Sequence, residues 1–195
     1  MINYTIVKKF IKMSIWVKAL RFMMRKSLLK ELQNAGSVHS SLKLGYIHDF
    51  EINSNLKNLI IKKNIKFYNH VNIIIGKNAV LEVDENTTIN KYTSIVALEK
   101  ITIGQNCLIG ENVKIYDNNH RVDIQDGAQF ASHKEFTTSP VKIGNNCWLG
   151  SNVTILKGVT IGDNSIIGAG CTIYKDVPAN TTVINKQELI FKNKG

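Results

Sequence analysis

The residue of this 195-residue chain best suited to chemistry is His120, set in the polar run NNHRVD. An imidazole titrates near neutral pH, so it can take up and return a proton in the course of a reaction. Asp117 and Asp123 flank it, and either carboxylate could orient the ring. Either could equally be a solvated loop charge, and by position alone His120 also reads as an exposed polar side chain. Asn90 lies upstream in less regular sequence, where its bland reading is a corner residue tolerating a left-handed backbone. Trp148 immediately precedes Leu149, and strand parity then turns its ring outward, where a large aromatic needs a partner. His133 reads as a bystander, and His39, His48 and His70 lie outside the patterned region. Only His120 and His133 fall in or near that region, so a three-His zinc site is not expected and no metal is assigned.

The elements that must position these residues are written in a ladder with a six-residue step. Ile103, Ile109 and Ile115 form one run; Ile143, Leu149, Ile155, Ile161, Ile167 and Ile173 form a second. Two places before each rung stands a small or β-branched residue, and Cys107, Cys147 and Cys171 all occupy that slot. Core packing is the reading for the cysteines, since no CxxC pair occurs. Glycine follows the rungs at 104, 110, 144, 150, 162 and 168, which no helix tolerates. This period describes a parallel β-helix, each coil burying the open face of its neighbour. Residues 116–140 leave the register and carry His120. Residues 36–70 read as weakly patterned strands and turns, and residues 71–100 as looser coils.

Residues 5–32 read as a helix, with Ile6, Phe10, Met13, Val17, Leu20, Met24 and Leu28 in one stripe. No apolar stretch is long enough to span a bilayer. Residues 1–70 carry 13 Lys and Arg against 3 Asp and Glu, whereas residues 71–195 are balanced at 12 each. A nucleic-acid-binding body would carry basic character on its main domain, so that class is set aside. The helix either caps the end of the stack or rests on anionic lipid. The expected organisation is a basic helix at 1–35, the β-helix at 36–178 with its excursion at 116–140, and a tail at 179–195. Free cysteines and the lack of an evident secretory signal point to the cytoplasm, at the inner face of the membrane if the helix binds lipid.

The stretch SPVKIGNNCWLGSNVTILKGVTIGDNSIIGAGCTIYKDVPANT, together with INKYTSI and IYDNNHRVD, resembles the hexapeptide-repeat acyltransferases. The likeness is to the O-acetyltransferase branch that includes the galactoside and maltose acetyltransferases, and it covers residues from about 85 to 183. It implies an all-β, left-handed parallel β-helix of hexapeptide repeats with an N-terminal α-helix and a catalytic loop excursion. It also implies a homotrimer with acetyl-CoA in grooves between adjacent β-helices and a carbohydrate acceptor. In that resemblance His120 is the general base and Asn90 stands beside it at the acceptor hydroxyl. Trp148 walls the pantetheine arm or the acceptor, Ser151 and Ala169 face the pantetheine arm, and Tyr174 and Lys175 the nucleotide end of the cofactor. The family's acidic N-terminal segment is replaced by the basic helix, and its Gly-Asn-Pro-Ala run by INKQELI. Those departures bring the chain nearer to acetyltransferases of capsule, exopolysaccharide and lipopolysaccharide assembly. Acetylation of an antibiotic, N-acylation of a sugar-nucleotide and a non-catalytic scaffold are the competing expectations.

Overall fold

The computed structural model describes residues 4–45, 48–52, 58–125, 128–186, 188 and 190–192, and the side chains among these except 4–15, 35 and 125. The chain winds as a parallel β-helix, every coil laying one short strand on each of three faces. The first face stacks Ser37–Val38, Leu59–Ile61, Val80–Val83, Lys100–Ile103, Val141–Ile143 and Thr160–Ile161. The second stacks Lys43–Leu44, Lys66–Phe67, Thr88–Ile89, Leu108–Ile109, Trp148–Leu149, Ile166–Ile167 and Thr182–Val183. The third stacks His48–Ile52, Val71–Ile75, Ser94–Ala97, Lys114–Tyr116, Thr154–Ile155 and Thr172–Ile173. Every pairing between coils is parallel and in register, for example Ile103 with Ile143 and Ile143 with Ile161.

The rungs form the core. All of them from Ile103 to Ile173 are buried, as are the cysteines and valines two places before. Burying one such isoleucine is worth about 1.5–3 kcal/mol, and the stack repeats that contribution coil after coil. The described residues between 36 and 97 belong to the same architecture, although their spacing is less regular.

Two corner devices let the coils stack closely. Between the first and second faces, Asn64, Asn86, Asn106, Asn146, Asn164 and Asn180 all adopt φ between 56° and 60°. Asparagine enters that left-handed region more readily than most residues because its amide can bond locally. Each of these amides donates from Nδ2 to the Oδ1 of the next, at 3.0–3.1 Å, so a single row of side chains runs up the corner. The second device is glycine. A Cβ on Gly110 would lie 2.7 Å from the backbone of Gly150 and Leu149 in the coil above.

The α-helix Tyr4–Ala35 precedes the coils. Its last turns are seated: Leu32 is buried with Leu42, Leu44 and Leu59 of the first two coils, and Leu28 and Leu29 pack against the same cluster. Higher on the helix Trp16, Leu20, Met23 and Met24 are exposed. The expected apolar stripe therefore divides, with Leu28 in contact with the core and Val17, Leu20 and Met24 outside it. The side chains of Ile6, Phe10 and Met13 fall outside the described residues.

The excursion is a β-hairpin, Asn118–Gln125 running antiparallel to Ala128–Thr138. It leaves the corner between the third and first faces, where Tyr116 ends one coil and Val141 begins the next.

Candidate active site

The hairpin pairs regularly at its root, with Asn118 opposite Thr138, Asn119 opposite Thr137 and His120 opposite Phe136. The register then slips. The next pair is Val122 with Ala131, so Arg121 alone faces the four residues 132–135. A bulge of this kind re-aims the groups beside it. Ser132 Oγ stabilises the bulge by accepting the backbone N–H groups of Lys134 and Glu135, at 3.3 and 3.0 Å.

The consequence falls on His120. The carbonyl oxygen of Ser132 lies 2.7 Å from His120 Nδ1. A carbonyl can only accept, so Nδ1 carries the hydrogen and the neutral ring presents Nε2 as a lone-pair acceptor. Phe136 supports the ring, with centroids 4.6 Å apart and planes tilted by 37°. His120 itself is exposed. An exposed imidazole held in one tautomer by a backbone carbonyl can take a proton from a bound hydroxyl.

Neither flanking carboxylate orients the ring. Asp117 is fully buried and accepts the backbone N–H groups of Leu98 and Glu99, each at 2.8 Å. It fastens the root of the hairpin to the preceding coil. Asp123 pairs with Arg121, whose Nε donates at 2.8 Å and which also reaches Glu135. His133 lies exposed in the bulge.

Trp148 stands outward on the second face, as strand parity requires, and is half exposed. The register places Leu108 directly below it and Ile166 directly above, and both are exposed as well. These three form an apolar strip along the wall. Leu108 and Ile166 were absent from the sequence reading, although each precedes a rung as Trp148 does.

Asn90 is one residue past Ile89, which pairs with Ile109, so it fills the corner position that Gly110 and Gly150 hold in the next coils. Its backbone is not left-handed; the residue of that corner with positive φ is Tyr92, at 61°. Ser151 and Ala169 lie at the same corner in higher coils, between the second and third faces. Tyr174 and Lys175 lie beyond the far end of the third face, with Lys175 Nζ 5.6 Å from the centre of the Tyr174 ring. The candidates thus separate within one chain. Asn90, Trp148, Ser151 and Ala169 gather on the second face and the corner that follows it. His120, Tyr174 and Lys175 follow the opposite end of the third face.

The cysteines are reduced and buried. The adjacent Cys147 side chain and burial together push the Cys107 thiol well above its ordinary pKa. Cys107 Sγ donates to the Gly144 carbonyl at 3.1 Å, and Cys147 Sγ to the Gly162 carbonyl at 3.3 Å. Buried thiols of this sort are poor nucleophiles. Among the described residues no three His, Cys, Asp or Glu side chains converge as a metal site would need, and no helix is long and apolar enough to cross a membrane.

Residues 140–175 match the family model of the bacterial transferase hexapeptide (six repeats), and residues 100–115 match that of the hexapeptide repeat of succinyl-transferase. Those two stretches carry the hexapeptide repeat of bacterial transferases. The chain is 39% identical over 109 residues to galactoside O-acetyltransferase of Escherichia coli K12, covering 56% of this chain and 48% of the relative. It is 31% identical over 118 residues to an E. coli K12 protein named for lipopolysaccharide-biosynthesis O-acetyl transfer, covering 58% and 60%. It therefore spans about half to three fifths of the length of these relatives. Among solved structures, a hexapeptide-repeat-containing acetyltransferase of Vibrio cholerae complexed with acetyl coenzyme A matches at TM-score 0.53. That match has 25% identity over 85% of this chain and 78% of the other.

Proposed function

We propose that this protein transfers the acetyl group of acetyl-CoA to a hydroxyl of a sugar or bacterial surface glycan, with His120 as general base. The observation that carries this reading is the hydrogen bond from His120 Nδ1 to the Ser132 carbonyl, which leaves Nε2 free to act. Nε2 takes the proton of the acceptor hydroxyl as its oxygen attacks the thioester carbonyl. The tetrahedral intermediate collapses with cleavage of the C–S bond, and the imidazolium returns the proton to the departing thiolate. No acyl-enzyme is required, in keeping with thiols that face the core.

The separation of the candidates supports an assembly of three copies. A second chain set against the apolar strip of Leu108, Trp148 and Ile166 would bring its own hairpin toward the first chain's Asn90, Ser151 and Ala169. Acetyl-CoA would then lie in the groove between chains, its pantetheine arm along Trp148 and its nucleotide end toward Tyr174 and Lys175. The glycan acceptor draws support from the relative named for lipopolysaccharide biosynthesis. The basic helix fits a cytoplasmic protein resting on the inner face of a membrane, where such glycans are assembled.

The test is to supply purified protein with acetyl-CoA and a panel of sugars, oligosaccharides, sugar-nucleotides and aminoglycosides. His120→Ala should lower the rate by about 10²–10⁴-fold while calorimetry shows unchanged acetyl-CoA binding. A variant that kept most of its rate would remove His120 from the mechanism. A wild-type protein that bound no acetyl-CoA would point to a scaffold instead.

A further inference from the structure

Lys43 and Lys66 occupy directly paired positions on the second face. Neighbouring strands lie about 4.8 Å apart, so two ammonium-bearing side chains leave the wall side by side, an arrangement that disfavours the fold unless an anion joins them. Lys66 Nζ donates to Tyr68 Oη at 2.7 Å, and the ion pairs seen among the described residues lie elsewhere. Lys62 meets Glu82 and Asp84, Lys63 meets Glu85, and Arg121 meets Asp123 and Glu135. Among the described residues no carboxylate pairs with Lys26, Lys43 or Lys66.

These lysines line two adjoining hollows, of about 380 and 190 Å³, between the helix and the second face. Arg25, Lys43 and Lys66 border both, and Lys26 borders the larger. Among the described residues no acidic side chain lines either hollow. Phe22 and Leu29 of the helix and Leu42 and Leu44 of the wall supply the apolar lining of the larger one, and Lys26 Nζ lies 4.9 Å from the centre of the Phe22 ring. Three lysines with no carboxylate partner around a partly apolar hollow match a phosphate group attached to a hydrocarbon body.

Further along the same helix Trp16, Leu20 and Met23 recur at steps of four and three, all more than half exposed. That ridge is suited to entering the acyl boundary of a bilayer. We infer that the cleft between the helix and the second face binds the phosphate headgroup of an anionic phospholipid, held by Lys26, Lys43 and Lys66 while the Trp16–Met23 ridge enters the membrane. The site is separate from the proposed cofactor groove, and it rests on the reading that the helix meets a membrane.

The experiment uses the full chain with vesicles of phosphatidylcholine alone or with 30% phosphatidic acid, and inorganic diphosphate in calorimetry. Wild type should sediment with the phosphatidic acid vesicles only, and Lys43→Ala/Lys66→Ala should weaken that binding at least about tenfold, from roughly 1 kcal/mol per lysine at an anionic surface. Lys100→Ala/Lys142→Ala removes equal charge from the first face and should bind as wild type does. Millimolar diphosphate should compete, titrating to one site per chain in wild type and to none in the Lys43/Lys66 variant. That variant should melt no lower than wild type, since its paired like charges are gone. If it kept full vesicle binding, the headgroup site would be wrong while membrane contact through the helix stood. Diphosphate binding with no vesicle binding by wild type would overturn the lipid assignment, and binding of neither probe would end the proposal.

Discussion

The backbone N–H of Ser139 donates to the carbonyl of Asp117 at 2.9 Å, closing the two ends of the excursion onto each other. Ser139 then accepts from the N–H of Gly158 in the following coil at 3.0 Å. The hairpin carrying His120 is thereby stitched to the stack at its root, where Lys157 Nζ also donates to Thr137 Oγ1.

Asp117 is the residue whose loss should loosen that root. Its buried carboxylate accepts two backbone N–H groups. An amide in its place would face one of them with its own N–H. Leaving such a buried donor unsatisfied costs about 1–3 kcal/mol, so Asp117→Asn should lower the melting temperature by roughly 3–10 °C. Calorimetry of the two proteins measures this, and equal melting would show that the carboxylate does not anchor the hairpin.

The glycine column gives a graded test. A Cβ on Gly110 would meet backbone atoms at 2.7 Å, whereas one on Gly168 would find its nearest atom, the Val183 carbonyl oxygen, at 3.0 Å. Gly110→Ala should therefore destabilise by about 1–3 kcal/mol, and Gly168→Ala by clearly less. The reverse order in urea titrations would contradict the close approach of the coils.

Trp148 separates cofactor binding from chemistry. Trp148→Ala should raise the KM for acetyl-CoA about tenfold with a smaller change in kcat, because the ring supplies contact area and no proton. Sedimentation velocity on the same variant tests the strip of Leu108, Trp148 and Ile166 as a subunit contact, which should weaken. A variant with unchanged KM and unchanged mass would take the residue out of both roles.

His48 makes stability depend on pH. Its ring stacks on Phe50 at 5.1 Å, and burial pushes its pKa down from 6.5 to about 4. Between those values the unfolded chain binds a proton that the native chain refuses. Stability is thus full above about pH 6.5 and falls as the pH drops toward 4. Wild type should lose about 1–2 kcal/mol between pH 7 and 4.5 through this group, and His48→Phe should remove that share of the loss. Parallel pH profiles for the two proteins would show that the ring is solvated.

The coils from Ile101 onward were legible because nearly every core slot is an apolar side chain at a fixed step. The earlier coils were blurred for two reasons visible in particular residues. Successive side-chain contacts up the first corner, from Ser41 to Asn180, span 23, 22, 20, 40, 18 and 16 residues, so only one of them is three hexapeptides long. Thr87 and Thr93 also take core positions, concealed from a hydrophobicity pattern because each hydroxyl donates to a carbonyl of the next coil. His120 could be singled out by type and surroundings. Its partner could not, since the Ser132 carbonyl is backbone brought into place by a bulge. The paired Lys43 and Lys66 were equally hidden, because their spacing matches no whole number of repeats.

The row of corner asparagines is directional: every Nδ2 points toward the next coil and every Oδ1 toward the previous one. Such a spine can be lengthened or shortened by whole turns without altering its polarity, and coils of 16 to 22 residues, or one that carries the hairpin, all keep their amides in line. Molecular length in this architecture is therefore open to change by duplication, in quanta of one turn, while the wall chemistry at any given level stays as it was.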